Sequence, residues 1–375
     1  MSINNIYITN FSVFNDLKIE FCKGINVIIG ENGTGKTHLL KFMYALHETT
    51  HEKYLRNGTD IVNKENQEII REHAVIDFIN NCFRPFMMNR LLRVECPQSL
   101  PNITSLDDDF VLNHDLFTKL GNIVLTFQDN YHSELSTKRT EEAYIFGLKQ
   151  NGSHQKNSVF VPAKEMLSHA PIYNMSEVYG NEMPFDNTQL KIIELSRRMK
   201  LKETPDIAKS ITEKLELLMK GTIREHNGSF WKRTFKGHEI PFTNESDGLK
   251  RFGLLWRLLM NGSITKDTIL FWDEPENSIN PENIPVLVEI LLELQRHGVQ
   301  MFLTTHNYNF ARYFEILKTT EDKILFNSLD KTDDDFVKNF QATKYSELGV
   351  NAIDKADETL YKKSIQKAIS ESKNG

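Results

Sequence analysis

Residues 25–37 read INVIIGENGTGKT, an apolar run that ends in a glycine-rich loop. Gly30, Gly35, Lys36 and Thr37 fit the spacing G-x-x-x-x-G-K-[ST], with Gly33 a further glycine inside it. Small glycines let successive backbone N–H groups wrap phosphate oxygens at the start of a helix. Lys36 is spaced to reach the β- and γ-phosphates of ATP, and Thr37 to ligate Mg2+. The whole stretch of Gly30, Glu31, Asn32, Gly33, Thr34, Gly35, Lys36, Thr37 and the following His38 is therefore a candidate ATP-binding segment.

Working outward, INNIYI and DLKIEF alternate apolar and polar residues ahead of INVIIG, so three strands lead into the loop. Beyond it, Leu39, Leu40, Met43 and Leu46 recur at helical spacing and predict a helix from about Lys36 to the early fifties. Residues 55–115 are polar, contain a proline-bearing acidic stretch, and read as an insertion. NIVLTF, AYIFGL and SVFVP, joined by turns with Gly and Asn, predict a β-meander. Residues 187–220 carry core-spaced apolar positions interrupted by Pro205 and predict two helices. A hairpin follows in HNGSFWKRTFKGHEI, then a helix over 247–260. TILFW (268–272) is the unbroken apolar run of a buried parallel strand, with a helix (ENIPVLVEILLELQRHG) and a strand (VQMFLTTH) after it. The polar segment after about 331 reads as a helical or partly disordered tail.

A net charge of -6 over 375 residues argues against a protein that coats nucleic acid through overall basicity. Local clusters remain at Arg197, Arg198, Lys200 and Lys202, and at Lys220, Arg224, Lys232, Arg233 and Lys236; the plainer reading is a solvated helix face and hairpin. The N-terminus lacks a basic segment followed by a long apolar one, and no run approaches the roughly 18 apolar residues of a membrane span, so a cytoplasmic protein with no membrane partner is expected. Cys22, Cys82 and Cys96 lie far apart and predict neither disulfides nor a thiolate zinc site.

The strand TILFW runs directly into Asp273 and Glu274. A buried parallel strand of this kind offers an Asp to Mg2+ and the next carboxylate to an attacking water, which makes Asp273 a metal ligand beside Thr37 and Glu274 the candidate general base. Lys36 and Asp273 stand more than two hundred residues apart, farther than in a compact phosphate-loop domain. Between them lies NESDGLKR, in which Ser246 and Gly248 open a helix shortly before Asp273. A second helix N-terminus with a hydroxyl is a second phosphate-binding surface. One copy can hardly apply both surfaces to the same phosphate from opposite sides, which argues for a homo-oligomer, at least a dimer.

In order, GENGTGKT (30–37), SDG (246–248), ILFWDE (269–274) with PENSIN (275–280), and TTH (304–306) resemble the Walker A, signature, Walker B, D-loop and H-loop of an ABC-type ATPase head. Their order and spacing are those of the SMC, RecF and OLD branch rather than of transporters. Within that branch, YITNFSVFNDLKIEF, VFVPAKEML and DEPENSINP resemble the "AAA family" ATPases of bacterial anti-phage defence systems, the PARIS (AriA-like) type first and the Septu (PtuA-like) type second. The resemblance implies an α/β fold: a mixed sheet core, an antiparallel β-meander lobe and a helical signature-bearing subdomain over 170–262. The head would span 1–330, including the 55–115 insertion, and 331–375 would be a C-terminal extension.

The same resemblance implies ATP and Mg2+ as cofactors, and a catalytic set of Lys36, Glu274 and His306, with His306 sensing the phosphate within its own protomer. Ser246 and Gly248 would meet the γ-phosphate bound by the other protomer, and Ser278 to Asn280 would couple the two sites. It implies a head-to-tail dimer that either controls a separate nuclease effector of Toprim or HNH type or, like RecF, clamps DNA. Two departures stand out: Asp247 occupies a position where many heads have Gly, and no Gln appears at the expected Q-loop, where residues 162–168 with Glu165 stand in.

His47, Glu48 and His51 also spell HETTH, the pattern of a zinc-hydrolase helix. It falls at the end of the helix that the phosphate loop opens, with no evident third ligand, so zinc is not expected.

Overall fold

A computed structural model describes residues 2–11, 13–49, 82, 122–127, 132–139, 144–150, 156–175, 185–332, 336–348, 359–367, 369 and 370. The expected insertion at 55–115 therefore lies, apart from Cys82, outside the described residues, as do His51 and Cys96. In chain order the strands are β1 (Ile3–Phe11), β2 (Phe14–Glu20), β3 (Ile25–Gly30), β4 (Asn122–Phe127), β5 (His132–Arg139), β6 (Tyr144–Gln150) and β7 (Ser158–Val161). They continue as β8 (Gly221–His226), β9 (Ser229–Thr234), β10 (Glu239–Pro241), β11 (Ile269–Asp273), β12 (Gln300–Thr305), β13 (Ile324–Lys331) and β14 (Val337–Ala342). The helices bounded among the described residues are α1 (Lys36–Thr49), α2 (Asn187–Arg197), α3 (Lys209–Met219), α4 (Asp247–Met260), α5 (Ile284–Arg296) and α6 (Tyr308–Leu317), and residues 359–367 are helical as well.

INVIIG becomes β3, inside a six-stranded sheet of order β14-β13-β3-β12-β11-β7. Every neighbouring pair from β13 to β7 is parallel, and β14 alone runs antiparallel, at the edge. Both faces of this sheet are covered. Ile28, Ile269, Phe271 and Phe302 pack with α1, β1 and β2, while Val27, Ile29, Leu270, Trp272, Met301 and Leu303 pack with residues of α2 to α6. Burial on both sides makes the positions of β3 and β11 apolar or small up to Asp273, except for Asn26, whose buried amide donates to Cys22 O and Met301 O, which is why these strands read as near-unbroken runs. Each fully buried Ile, Leu or Phe contributes roughly 1.5–3 kcal/mol, so a two-faced sheet gives the site a rigid floor.

The antiparallel sheet, β2-β1-β4-β5-β6, contains the expected meander with two corrections. HSELSTKR forms β5, which its polar sequence hid. SVFVP leaves the meander: β7 is buried at all four positions and pairs parallel to β11, as the edge of the core sheet. The C-terminal reading also changes. Val337–Ala342 is a strand rather than part of a helical tail, and the core sheet runs on past residue 330. Its sequence VKNFQA shows no apolar run because only Val337 is buried, while Gln341 Nε2 donates to Glu20 O at 2.6 Å and Asn327 Oδ1 at 2.8 Å.

Between β7 and β11 lie α2, α3, the small sheet β10-β9-β8 and α4. Asp186 and Gln189 form a reciprocal capping box that starts α2, and Arg257 of α4 donates to Ser196 O at 3.0 Å and Arg198 O at 2.9 Å, closing its end. The basic cluster read as a solvated face is partly neutralised here: Lys232 is buried against Glu245 at 2.5 Å.

Candidate active site

The phosphate loop joins the C-terminal end of β3 to the N-terminus of α1. Gly30 is required by space: a Cβ there would lie 2.6 Å from Leu329 O. Gly33 and Gly35 adopt φ of +81° and +82°, a region that side chains disfavour. Lys36 is buried, and its Nζ donates to Gly30 O and Glu31 O, both at 2.8 Å, so the ammonium lies folded into the loop. Burial pushes its pKa down, against the pull of Glu274, Asp273, Glu276 and Glu31. His38, one residue further, is pushed down to about 4 by burial and by Lys41.

Parallel pairing across β12 brings Asp273 to the loop. Thr37 Oγ1 donates to both Asp273 oxygens, at 3.0 and 2.8 Å, so a hydroxyl and a carboxylate converge below the loop. Two hard oxygen donors suit Mg2+, which keeps several waters and draws further ligands from substrate phosphate. Burial raises the Asp273 pKa, opposed by hydrogen bonds from Thr304 and Thr37. Glu274 has φ of 47°, an uncommon conformation for a residue with a side chain, and its N–H is held by Thr304 O at 3.2 Å and Thr304 Oγ1 at 3.1 Å. His306 Nδ1 meets Glu274 Oε1 at 2.8 Å. Lys36, Thr37, Asp273, Glu274 and His306 thus gather at the C-terminal ends of three adjacent strands.

Ser246 and Gly248 sit elsewhere, at the start of α4. A Cβ on Gly248 would lie 2.6 Å from Ser278 O, so only glycine lets the helix rest on the segment after Glu274. Ser246 is the N-cap, yet its side chain makes no capping hydrogen bond, and it faces solvent. Asp247, the departure from Gly, is exposed and pairs with Lys250 at 3.0 Å. Glu165 accepts the backbone N–H groups of Leu167 and Ser168 and so shapes the turn after β7.

Sequence reasoning missed four contributors. Thr304 and Thr305 hold Asp273 and Glu276 respectively, and their signal was a pair of hydroxyls at the end of the apolar strand QMFLTT. Glu276 is buried with its pKa raised to about 7 by burial. Arg251, a charge within the buried helix α4, donates to Ala163 O. Burial lowers its pKa while Glu276, Glu165, Glu274 and Asp247 hold it up, so Arg251 ties α4 to the 162–168 segment amid four carboxylates. In the HETTH stretch, Glu48 is buried and accepts from Ser158 Oγ at 2.5 Å. Among the described residues no group of three or more His, Cys, Asp or Glu is arranged to hold a metal, and no helix is long and apolar enough to cross a membrane.

A phosphate loop and a carboxylate pair on one mixed sheet, with a helix start docked on the segment beyond the carboxylates, define an ABC-type ATPase head of the SMC and RecF kind. The chain belongs to the family described as "AAA domain, putative AbiEii toxin, Type IV TA system", whose model matches residues 105–312. A second model, "AAA ATPase domain", matches residues 1–83. The chain is 25% identical over 198 residues to "DNA replication and repair protein RecF" of Pediococcus pentosaceus, covering 50% of this chain and 53% of that protein. It is 43% identical over 60 residues to the protein of the same name from Oceanobacillus iheyensis, covering 15% and 16%. The match thus spans about half the length of the first relative and far less of the second. The fold is similar to "Crystal structure of the SmcHead bound to the C-winged helix domain of ScpA", with a TM-score of 0.54 at 11% identity over 93% of this chain and 100% of that one.

Proposed function

We propose that this chain hydrolyses ATP and closes into a head-to-tail homodimer around it, as the sensor and regulatory subunit of an anti-phage defence system that controls a separate Toprim or HNH nuclease. The observation that carries the chemistry is the cluster of Lys36, Thr37, Asp273, Glu274 and His306. On ATP binding, Lys36 exchanges two backbone carbonyls for phosphate oxygens, and Thr37 and Asp273 are the residues that would hold Mg2+. Mg2+ held by Thr37 and Asp273 would neutralise charge on the β- and γ-oxygens. Glu274 takes the proton of the attacking water, with its carboxylate oriented by His306. Pairing is supported by Ser246, an exposed helix cap with its hydroxyl uncommitted. The regulatory role is supported by the family description, which names a toxin system.

The test is Glu274→Gln. Steady-state hydrolysis falls roughly 10²–10⁴-fold, the range of general-base catalysis, while ATP still binds and doubles the mass seen in sedimentation. A variant that hydrolyses ATP at the original rate sinks the assignment. The similarity to RecF favours a second reading, a DNA clamp closed by ATP. Duplex binding that requires ATP and falls steeply with salt would select that reading, and co-purification with a nuclease the first.

A further inference from the structure

Lys331 ends β13, two residues beyond Leu329, the partner of Gly30 in the parallel register. Its Nζ stands 3.2 Å, and its Cε 3.8 Å, from the point where a Cβ on Gly33 would lie. The side chain is exposed and makes no hydrogen bond or ion pair among the described residues, whereas the neighbouring Asp330 is engaged by Ser328 Oγ at 3.0 Å. An uncommitted ammonium therefore stands over the tip of the phosphate loop, at Gly33.

Strand order says which part of a nucleotide passes there. β3 carries the loop, and on one side of it β12 and β11 deliver His306, Asp273 and Glu274, which act at the γ-phosphate. β13 lies on the other side. A triphosphate gripped by Lys36 with its γ end toward β11 must send its α-phosphate and nucleoside toward β13. We propose that Lys331 is a second nucleotide-binding cation, which contacts the α-phosphate of the bound nucleotide and orients its nucleoside end. This rests on the ATP site proposed above and adds a residue that none of its motifs contains. The division of labour follows from charge: Lys36 serves the phosphates that change in the reaction, and Lys331 the one that does not.

The test is an equilibrium titration of the full chain with ATP, ADP and inorganic pyrophosphate, each with magnesium, comparing the original protein with Lys331→Ala and Lys331→Arg. Lys331→Ala weakens ATP and ADP about five- to tenfold, Lys331→Arg restores most of this, and pyrophosphate, which fills only the terminal β and γ positions, binds as before. In steady-state hydrolysis KM rises more than kcat falls. Unchanged ATP and ADP affinity in Lys331→Ala overturns the inference, as does an equal loss of pyrophosphate affinity or a lowered melting temperature with nucleotide binding intact. If the original protein binds no nucleotide at all, the ATP site itself is refuted, and this inference with it.

Discussion

The two regions proposed to face phosphate are built in opposite ways. At the loop, the polar groups are already paired: Lys36 with Gly30 and Glu31, Thr37 with Asp273, Glu274 with His306. At the start of α4, Ser246 is exposed and caps nothing. The first region is self-sufficient without ligand, because its buried charges need partners at all times. The second can leave its donors open, because an exposed helix start is satisfied by water. A closed site and an open surface in one chain are what a nucleotide clamped between two copies requires.

The largest expected effect breaks the closed side. Lys36→Ala removes the buried cation, and ATP affinity falls roughly 10- to 100-fold, since a charge-assisted contact is worth about 1.5–3 kcal/mol; calorimetric titration reads it directly. Ser246→Arg attacks only the open side: ATP still binds each copy, but ATP-dependent association weakens at least about tenfold in sedimentation. If both substitutions weaken ATP binding by one copy equally, the two regions are not separate surfaces. Gly248→Ala is smaller and structural. The added methyl meets Ser278 O, so thermal melting should drop by an amount matching about 1–3 kcal/mol.

The smallest net effect is on pH dependence. Glu276, pushed up to about 7 from an ordinary 4.5, holds its proton more tightly when folded, so it subtracts stability as pH rises across that window. His38, pushed down to about 4 from 6.5, is protonated first in the unfolded chain, so it subtracts stability as pH falls across its window. The slopes oppose each other between 4.5 and 6.5, and melting should vary little there. Glu276→Gln should leave a melting temperature that climbs with pH, and His38→Gln one that declines, by a few degrees each (~1 kcal/mol per few degrees). Parallel curves for all three proteins would refute both assignments.

Much of this was legible in one dimension. GENGTGKT needed only its glycine spacing, and TILFW followed by Asp273 and Glu274 only an unbroken apolar run. The helix over 247–260 was read to its ends because it is buried almost throughout. The failures share a cause. β5 and β14 are polar strands, placed by backbone pairing rather than by their own side chains, and β7 was grouped with its sequence neighbours instead of with β11. Arg251 and Glu276 are buried charges, and nothing in their spacing along the chain indicates it.

By itself, then, the sequence determined the local chemistry: a loop whose glycines permit the phosphate-wrapping turn, a strand that carries two carboxylates, and a helix opened by Ser246. Those properties depend on residues close in the chain. Only the tertiary structure decided who stands beside whom. Thr37 reaches Asp273, and Lys331 reaches Gly33, across parallel strands whose register is set by burial on both faces of the sheet. Such strands are joined by long crossovers, so chain separation says nothing about distance, and packing alone assembles the site.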